Sequence, residues 1–373
     1  MDLTLTENQK MLQSTVQDLI RRDLPKGTLV AIDAGKQSIR EFWEQIASTG
    51  LLGSLIPEEY GGIEGSLMDS AVIYEELGRG PVPGPHFSSG VLGALILMEN
   101  ATTLQKQTFL PEIAQGRAIV SVAVNELDYG WESQSVQVTA NWDGAKYNLS
   151  GTKLHVQDAD FATHLIVAAR TTGSGGMSSG VSLFLVETSD PGVHVQQLEG
   201  FLTGSSAIVL DNVRAVLVGD AEDNWFVLEN VFQKAAPILC AYQVGGLSQV
   251  FDMSLAYSQT RHQFQQPIGR FQRVQDHVID IVNQLDAARW TTYEALWKMD
   301  NGAGDAIASV HMAAAVTSEA YYAGCNSAHD VHAGVGIVRE YGLTLHTKMS
   351  RTLYHYLGNP RHHKRKLAEA LKF

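Results

Sequence analysis

The residue periodicity of this chain changes twice, and this limits its fold more than any single residue does. Up to residue 116 apolar side chains recur at helical spacing. Thr6 and Gln9 form a capping box ahead of Met11, Leu12, Val16, Leu19 and Ile20. Further helical runs cover 39–46, 68–77 and 91–98, and 104–114 stops at Gly116. The period then becomes two. Residues 118–124 are rich in β-formers, and Val136, Val138 and Ala140 alternate up to a turn at Trp142-Asp143-Gly144. Tyr147 and Leu149 resume the alternation, and 165–169, 181–186, 193–198 and 208–213 bring the total to about seven strands. From Trp225 the helical period returns in runs near 225–260, 272–300, 303–328 and 338–357. Helices and strands that are segregated in sequence predict an α+β fold rather than a doubly wound parallel sheet. The 373 residues exceed one compact core. The expected division is an N-terminal α-helical domain (1–116), a middle β domain (117–222) and a C-terminal helical bundle (223–373).

Charge and composition remove several functions. Net charge is −13, and basic residues cluster only between Arg361 and Lys366, which reads as a solvated helix start. That pattern argues against a nucleic-acid partner. No apolar run approaches the ~18–20 residues of a membrane span. Cys240 and Cys325 sit in apolar helical runs and give no disulfide framework. With no secretory signal at Met1-Asp2-Leu3-Thr4, a cytoplasmic protein is expected. Gly173-Ser-Gly-Gly-Met-Ser-Ser-Gly180 has no phosphate-loop lysine and reads as a hairpin tip. His329, His332, His346, His355, His362 and His363 give no metal-ligand spacing and read as surface and interface residues, so no metal is expected.

Several motifs fall in one order along the chain. They are Pro57-Glu-Glu-Tyr-Gly-Gly62 with Glu75-Glu76, then Gln105-Lys106 with Leu110-Pro-Glu-Ile-Ala-Gln-Gly116. Leu149-Ser-Gly-Thr-Lys153 follows, and then Arg261 with Phe264, Gly269, Phe271 and Gln272. Together they resemble the acyl-CoA dehydrogenase family across essentially the whole chain. The resemblance implies a helical N-terminal domain, a middle β barrel, a C-terminal four-helix bundle and FAD shared between subunits. Arg261 would pair with the cofactor pyrophosphate, where a planar, permanently charged guanidinium suits phosphate oxygens. Phe264 would pack on the cofactor, and Gln272 would hydrogen-bond it. Gly334 and Gly336 would let backbone approach it. From the β domain, Asn125 and Gln157 would supply polar contacts to the flavin ring.

The same resemblance exposes departures. The family's T-E-P-x-x-G-S-D becomes Asn125-Glu-Leu-Asp-Tyr-Gly-Trp-Glu132, so Trp131 replaces a small hydroxyl. Its W-I-T-N becomes His155-Val-Gln-Asp158, and its Gln-x-x-Gly-Gly becomes Asp330-Val-His-Ala-Gly334. The family removes the α proton of an acyl-CoA thioester with a glutamate that stands in one of two places. One place is Leu357 here and the other is Ala235, so no catalytic residue is assigned. Glu229 and Glu340 are the nearest carboxylates in sequence. Leu357-Gly-Asn-Pro-Arg-His-His-Lys-Arg-Lys-Leu367 and Val156-Gln-Asp-Ala159 resemble a bacterial branch whose members often pair as α2β2 heterotetramers in steroid side-chain catabolism. Three readings follow: a base-deficient subunit completing the FAD site of a homologous partner, a self-sufficient homo-oligomer with a relocated base, or a flavin-free assembly protein.

Overall fold

The computed structural model describes residues 4–128, 130–172, 180–200, 204–220 and 223–373. The Gly/Ser stretch 173–179 lies outside them. Six helices come first: α1 (Glu7–Asp23), α2 (Lys26–Asp33), α3 (Arg40–Ser48), α4 (Leu67–Arg79), α5 (Ala94–Asn100) and α6 (Thr103–Ala114). Strands β1 (Val120–Ala123), β2 (Thr139–Trp142), β3 (Tyr147–Gln157), β4 (His164–Thr172), β5 (Val181–Glu187), β6 (Val193–Leu198) and β7 (Ser205–Leu217) follow. Next come α7 (Trp225–Thr260), a short ribbon of β8 (His262–Gln263) and β9 (Gln266–Pro267), and α8 (Gln272–Asp300). The chain ends with α9 (Ala306–His332), α10 (Leu343–Leu353) and α11 (Pro360–Ala370). The expected order of helices, strands and helices is observed, and no described helix is long and apolar enough to cross a membrane.

The chain packs as two compact units that interleave in sequence. One holds Trp43–Gly65 and Gly84–Phe232. Here β4 pairs with β2 and β5, β2 with β3, β3 with β7, and β7 with β5, so five strands close into a barrel. β1 and β6 extend it on β4 and β7. Leu149, Val156, Leu165, Val167, Phe184, Val186, Ile208 and Leu210 fill the interior. Their alternation along each strand sends every second side chain inward. β2 starts later than the apolar alternation suggests. The backbone N–H groups of Gln137 and Val138 donate to the Glu126 carboxylate at 2.9 and 3.1 Å instead of to a strand.

The other unit holds Met1–Phe42, Ser66–Pro83 and Gln233–Phe373. The Thr6–Gln9 capping box is formed, and Ser66 with Asp69 makes a second one that starts α4. α8 packs along α9, and α10 and α11 pack on α9. α4 lies hard against α7: a methyl on Gly78 would overlap the Tyr242 carbonyl, and one on Gly245 would overlap that of Glu75. The run expected over 338–357 is interrupted because Gly342 takes φ +95°, and only Leu343–Leu353 is α-helical. Asn359 caps α11 through the His362 N–H at 2.9 Å, with Pro360 in the first turn.

Three of the six late histidines depart from the surface reading, while His355 is exposed as expected and His329 and His362 are partly buried. His332, His346 and His363 are buried, at 1, 3 and 4 % exposure. Each ring finds a polar partner inside the helical unit, which offsets the cost of burial. Those partners are the Ala328 carbonyl, the Tyr321 hydroxyl and the His311 ring.

Candidate functional site

The polar groups assigned from sequence fall in both units. In the barrel unit, Asn125 follows β1 and is tied down by the Leu154 N–H, which donates to its carbonyl at 2.8 Å. Its side-chain Oδ1 is buried and has no hydrogen-bond partner. Gln157 ends β3 opposite Ser205, and Val156 lies opposite Ser206. The hydroxyls of Ser205 and Ser206 are likewise buried without partners. Buried polar atoms are nearly always satisfied, so such a group of orphans at one end of the β3–β7 ladder suits a polar ligand. The register of β3 slips between Lys153 and Val156, and His155 takes φ +54° there. Its ring is exposed. Trp131 stands edge-on to Phe232, with ring centroids 5.8 Å apart.

One residue here entered the sequence reading only as part of a motif, with no role assigned. Asp158 has φ +57° and is buried, and the Ser88 hydroxyl donates to its carboxylate at 2.9 Å. Burial pushes its pKa up to about 7. Ser88 begins a π-helical turn, Ser88–Gly93, where the sequence suggested an ordinary helix from 91. Such turns are frequent at functional sites.

In the helical unit, Arg261 closes α7 through its own N–H, and its carbonyl accepts the Ile268 N–H. Its side chain is exposed. The chain then reverses in the β8–β9 ribbon, whose tip residues Phe264 and Gln265 have φ +51° and +62°. This is the left-handed pair of a tight hairpin turn, held here by two non-glycine residues. Phe264 is 87 % exposed and stands edge-on to Phe271. Gln272 opens α8 and is also exposed. The guanidinium, ring and amide therefore stand on one short, hairpin-anchored segment and face solvent. Gly334 is open, with nothing near a would-be Cβ. Gly336 is buried, and a Cβ there would lie 2.9 Å from His329 Nδ1, so packing within this chain already demands a glycine. Asp330 is mostly exposed and lies 3.8 Å from His277.

Neither place for a base holds a carboxylate. Leu357 is 5 % exposed and Ala235 is fully buried. Glu229 accepts a hydrogen bond from Trp225 Nε1 at 3.0 Å, one helical turn away, and Glu340 is exposed. No cluster of potential metal ligands occurs among the described residues.

The chain matches the N-terminal domain of acyl-CoA dehydrogenases over residues 6–117, their middle domain over 121–213 and their C-terminal domain over 225–372. The chain belongs to the acyl-CoA dehydrogenase family. YngJ of Bacillus subtilis, another acyl-CoA dehydrogenase relative, is 29 % identical over 352 residues, covering 92 % of each chain. Among solved structures, the FAD complex of PigA has 26 % identity and a TM-score of 0.91 over 100 % of this chain and 99 % of that one. The ChsE4-ChsE5 complex of Mycobacterium tuberculosis has 25 % identity and a TM-score of 0.88 over 100 % of this chain and 99 % of its own. Acyl-CoA dehydrogenases are FAD-dependent flavoproteins. The exposed Arg261, Phe264 and Gln272 and the orphaned polar atoms at Asn125, Ser205 and Ser206 fit such a cofactor.

Proposed function

We propose that this chain is a base-deficient acyl-CoA dehydrogenase subunit that completes the FAD site of a homologous, catalytically competent partner in an α2β2 assembly. The observation that carries the reading is the pair of buried apolar residues, Leu357 and Ala235, at the family's two base positions. A missing base costs ~10²–10⁴-fold in the proton-transfer step. The named ChsE4-ChsE5 complex gives a precedent for two-protein assembly among structural neighbours. In this reading Arg261 holds the pyrophosphate, Phe264 packs on the cofactor and Gln272 hydrogen-bonds it. The backbone at Gly334 and Gly336 flanks the dinucleotide, and Asn125 and Gln157 offer polar contacts from the barrel unit. Bound FAD supplies the hydride acceptor for α,β-dehydrogenation of an acyl-CoA. The division into 1–116, 117–222 and 223–373 is proposed as the modular layout, and the cytoplasm as the compartment.

A second reading rests on Asp158. Its buried carboxyl, which accepts from the Ser88 hydroxyl at 2.9 Å and directly follows Gln157, is the candidate relocated base of a self-sufficient homo-oligomer. The deciding experiment is the visible spectrum and light-scattering mass of the chain expressed alone and co-expressed with a homologous subunit. The partner reading expects a colourless species alone and near-stoichiometric flavin in the pair. Full flavin loading and activity in a homo-oligomer, abolished by Asp158→Asn, would support the second reading and overturn the first. Absence of flavin in both preparations would leave a flavin-free assembly protein.

A further inference from the structure

One open cleft in the helical unit contains none of the residues proposed to hold FAD. Its volume is about 380 Å³, within the ~300–1,000 Å³ range of small-molecule sites. Its walls come from α1, α2, the end of α4, α7 and the start of α10. Ile20, Leu24, Leu29, Met253 and Leu345 make it apolar. The charged side chains that line it are all cations: Arg21, Lys26 and Arg79. Arg21 pairs with Asp18, and Arg79 Nη2 lies 2.6 Å from Asp252 Oδ2. Lys26 makes no ion pair among the described residues.

Two helix starts meet at Lys26. α2 begins at Lys26 and α10 at Leu343, and neither has a side-chain N-cap or an acidic residue in its first turn. A Cβ on Gly342, the residue before α10, would lie 3.2 Å from Lys26 Cδ, so the lysine stem lies over that start. The free N–H groups of a helix start favour negative charge. A buried ring adds a further donor. His346 lines the cleft and is 3 % exposed. The buried Tyr321 hydroxyl lies 3.1 Å from His346 Nδ1. That nitrogen is its only hydrogen-bond partner among the described residues, so the hydroxyl donates to it. The neutral ring then carries its proton on Nε2, which has no partner among the described residues.

From this arrangement we infer that the cleft binds a small organic monoanion with an apolar body, of the medium-chain carboxylate class. The basic rim, the two helix starts and the His346 N–H attract the charge, and the apolar walls take the chain out of water. A single charge suits the one lining cation that has no carboxylate of its own. The inference does not depend on the proposed function, since the cleft shares no residue with the proposed FAD site.

Two measurements on the full chain test this. Calorimetric titration with hexanoate, octanoate and decanoate should show one site per chain, tightening about three- to fourfold with each added methylene. Decanol and decylamine should bind about tenfold more weakly than decanoate, or less. Lys26→Gln should weaken decanoate about threefold. Met253→Trp, which fills the cleft, should abolish the site. No saturable binding, or decanol binding as tightly as decanoate, overturns the inference. A photoreactive decanoate locates the site in the wild-type chain without any variant having to fold. Its adducts should fall within 20–29, 249–253 and 341–346, and adducts confined to other segments overturn the assignment. The same label carried on decanoyl-CoA should miss these segments. Labelling by the thioester and not by the free acid would make the cleft part of a thioester site and sink the inference. Flavin enters neither readout, so failure here leaves the proposed function standing.

Discussion

Lys153 Nζ lies 2.7 Å from Glu126 Oε1 inside the barrel unit, with the lysine side chain fully buried and the glutamate 7 % exposed. The ammonium also donates to the Val124 carbonyl at 2.9 Å. Burial pulls the lysine pKa down to about 8, and Glu126 opposes the fall. Removing one member of a buried pair strands the other and costs about 3–5 kcal/mol. Glu126→Gln is therefore expected to lower the denaturant midpoint sharply and to leave Lys153 neutral at pH 7. The loss should exceed that of any exposed pair, such as Glu319→Gln opposite Lys364. Urea unfolding of both variants checks the ranking.

Helices α4 and α7 touch through glycines. Gly78→Ala and Gly245→Ala would each press a methyl into a backbone carbonyl that cannot swing aside. Overpacking costs about 1–3 kcal/mol, and more where backbone must move. Each variant should lose several degrees of thermal midpoint. Gly27→Ala, with open space around its Cβ, should lose far less.

Acid should weaken the helical unit in a defined window. Burial holds His311 at about 4, and His346 and His363 at about 3, against an ordinary value of 6.5. The unfolded chain binds protons below pH 6.5 that the folded chain refuses, so their stabilisation is full above about 6.5. It is lost as pH falls toward 4 and 3. Urea midpoints between pH 7.5 and 4.5 should decline. In His363→Gln, which removes one such group, the slope should be shallower.

Arg261 separates cofactor binding from folding. Its side chain is exposed and makes no ion pair among the described residues. Arg261→Gln should leave the thermal midpoint of the chain alone unchanged. In the co-expressed pair it should weaken flavin retention, since hydrogen bonds to charged groups contribute about 1.5–3 kcal/mol, or roughly 10–100-fold. Flavin absorbance per protein after dialysis reads the effect.

The order of helices, strands and helices was legible in the sequence, because amphipathic period is a local property that each segment carries alone. The family was legible too, through the segment from Arg261 to Gln272, as were the apolar Leu357 and Ala235 on which the proposed loss of the base rests. The tertiary structure decided what depends on which segments meet. The interleaved units could not be read from period, since residues 43–65 pack with the barrel while 66–83 pack with the bundle. His346 and His363 look like surface residues in the sequence because an imidazole is polar. They are buried because α9 brings Tyr321 and His311 to the distant His346 and His363, satisfying rings that would otherwise stay in water. Asp158 is similar: only the turn at Ser88, some seventy positions earlier, gives its carboxyl the partner and the dry surroundings that hold a proton near neutrality.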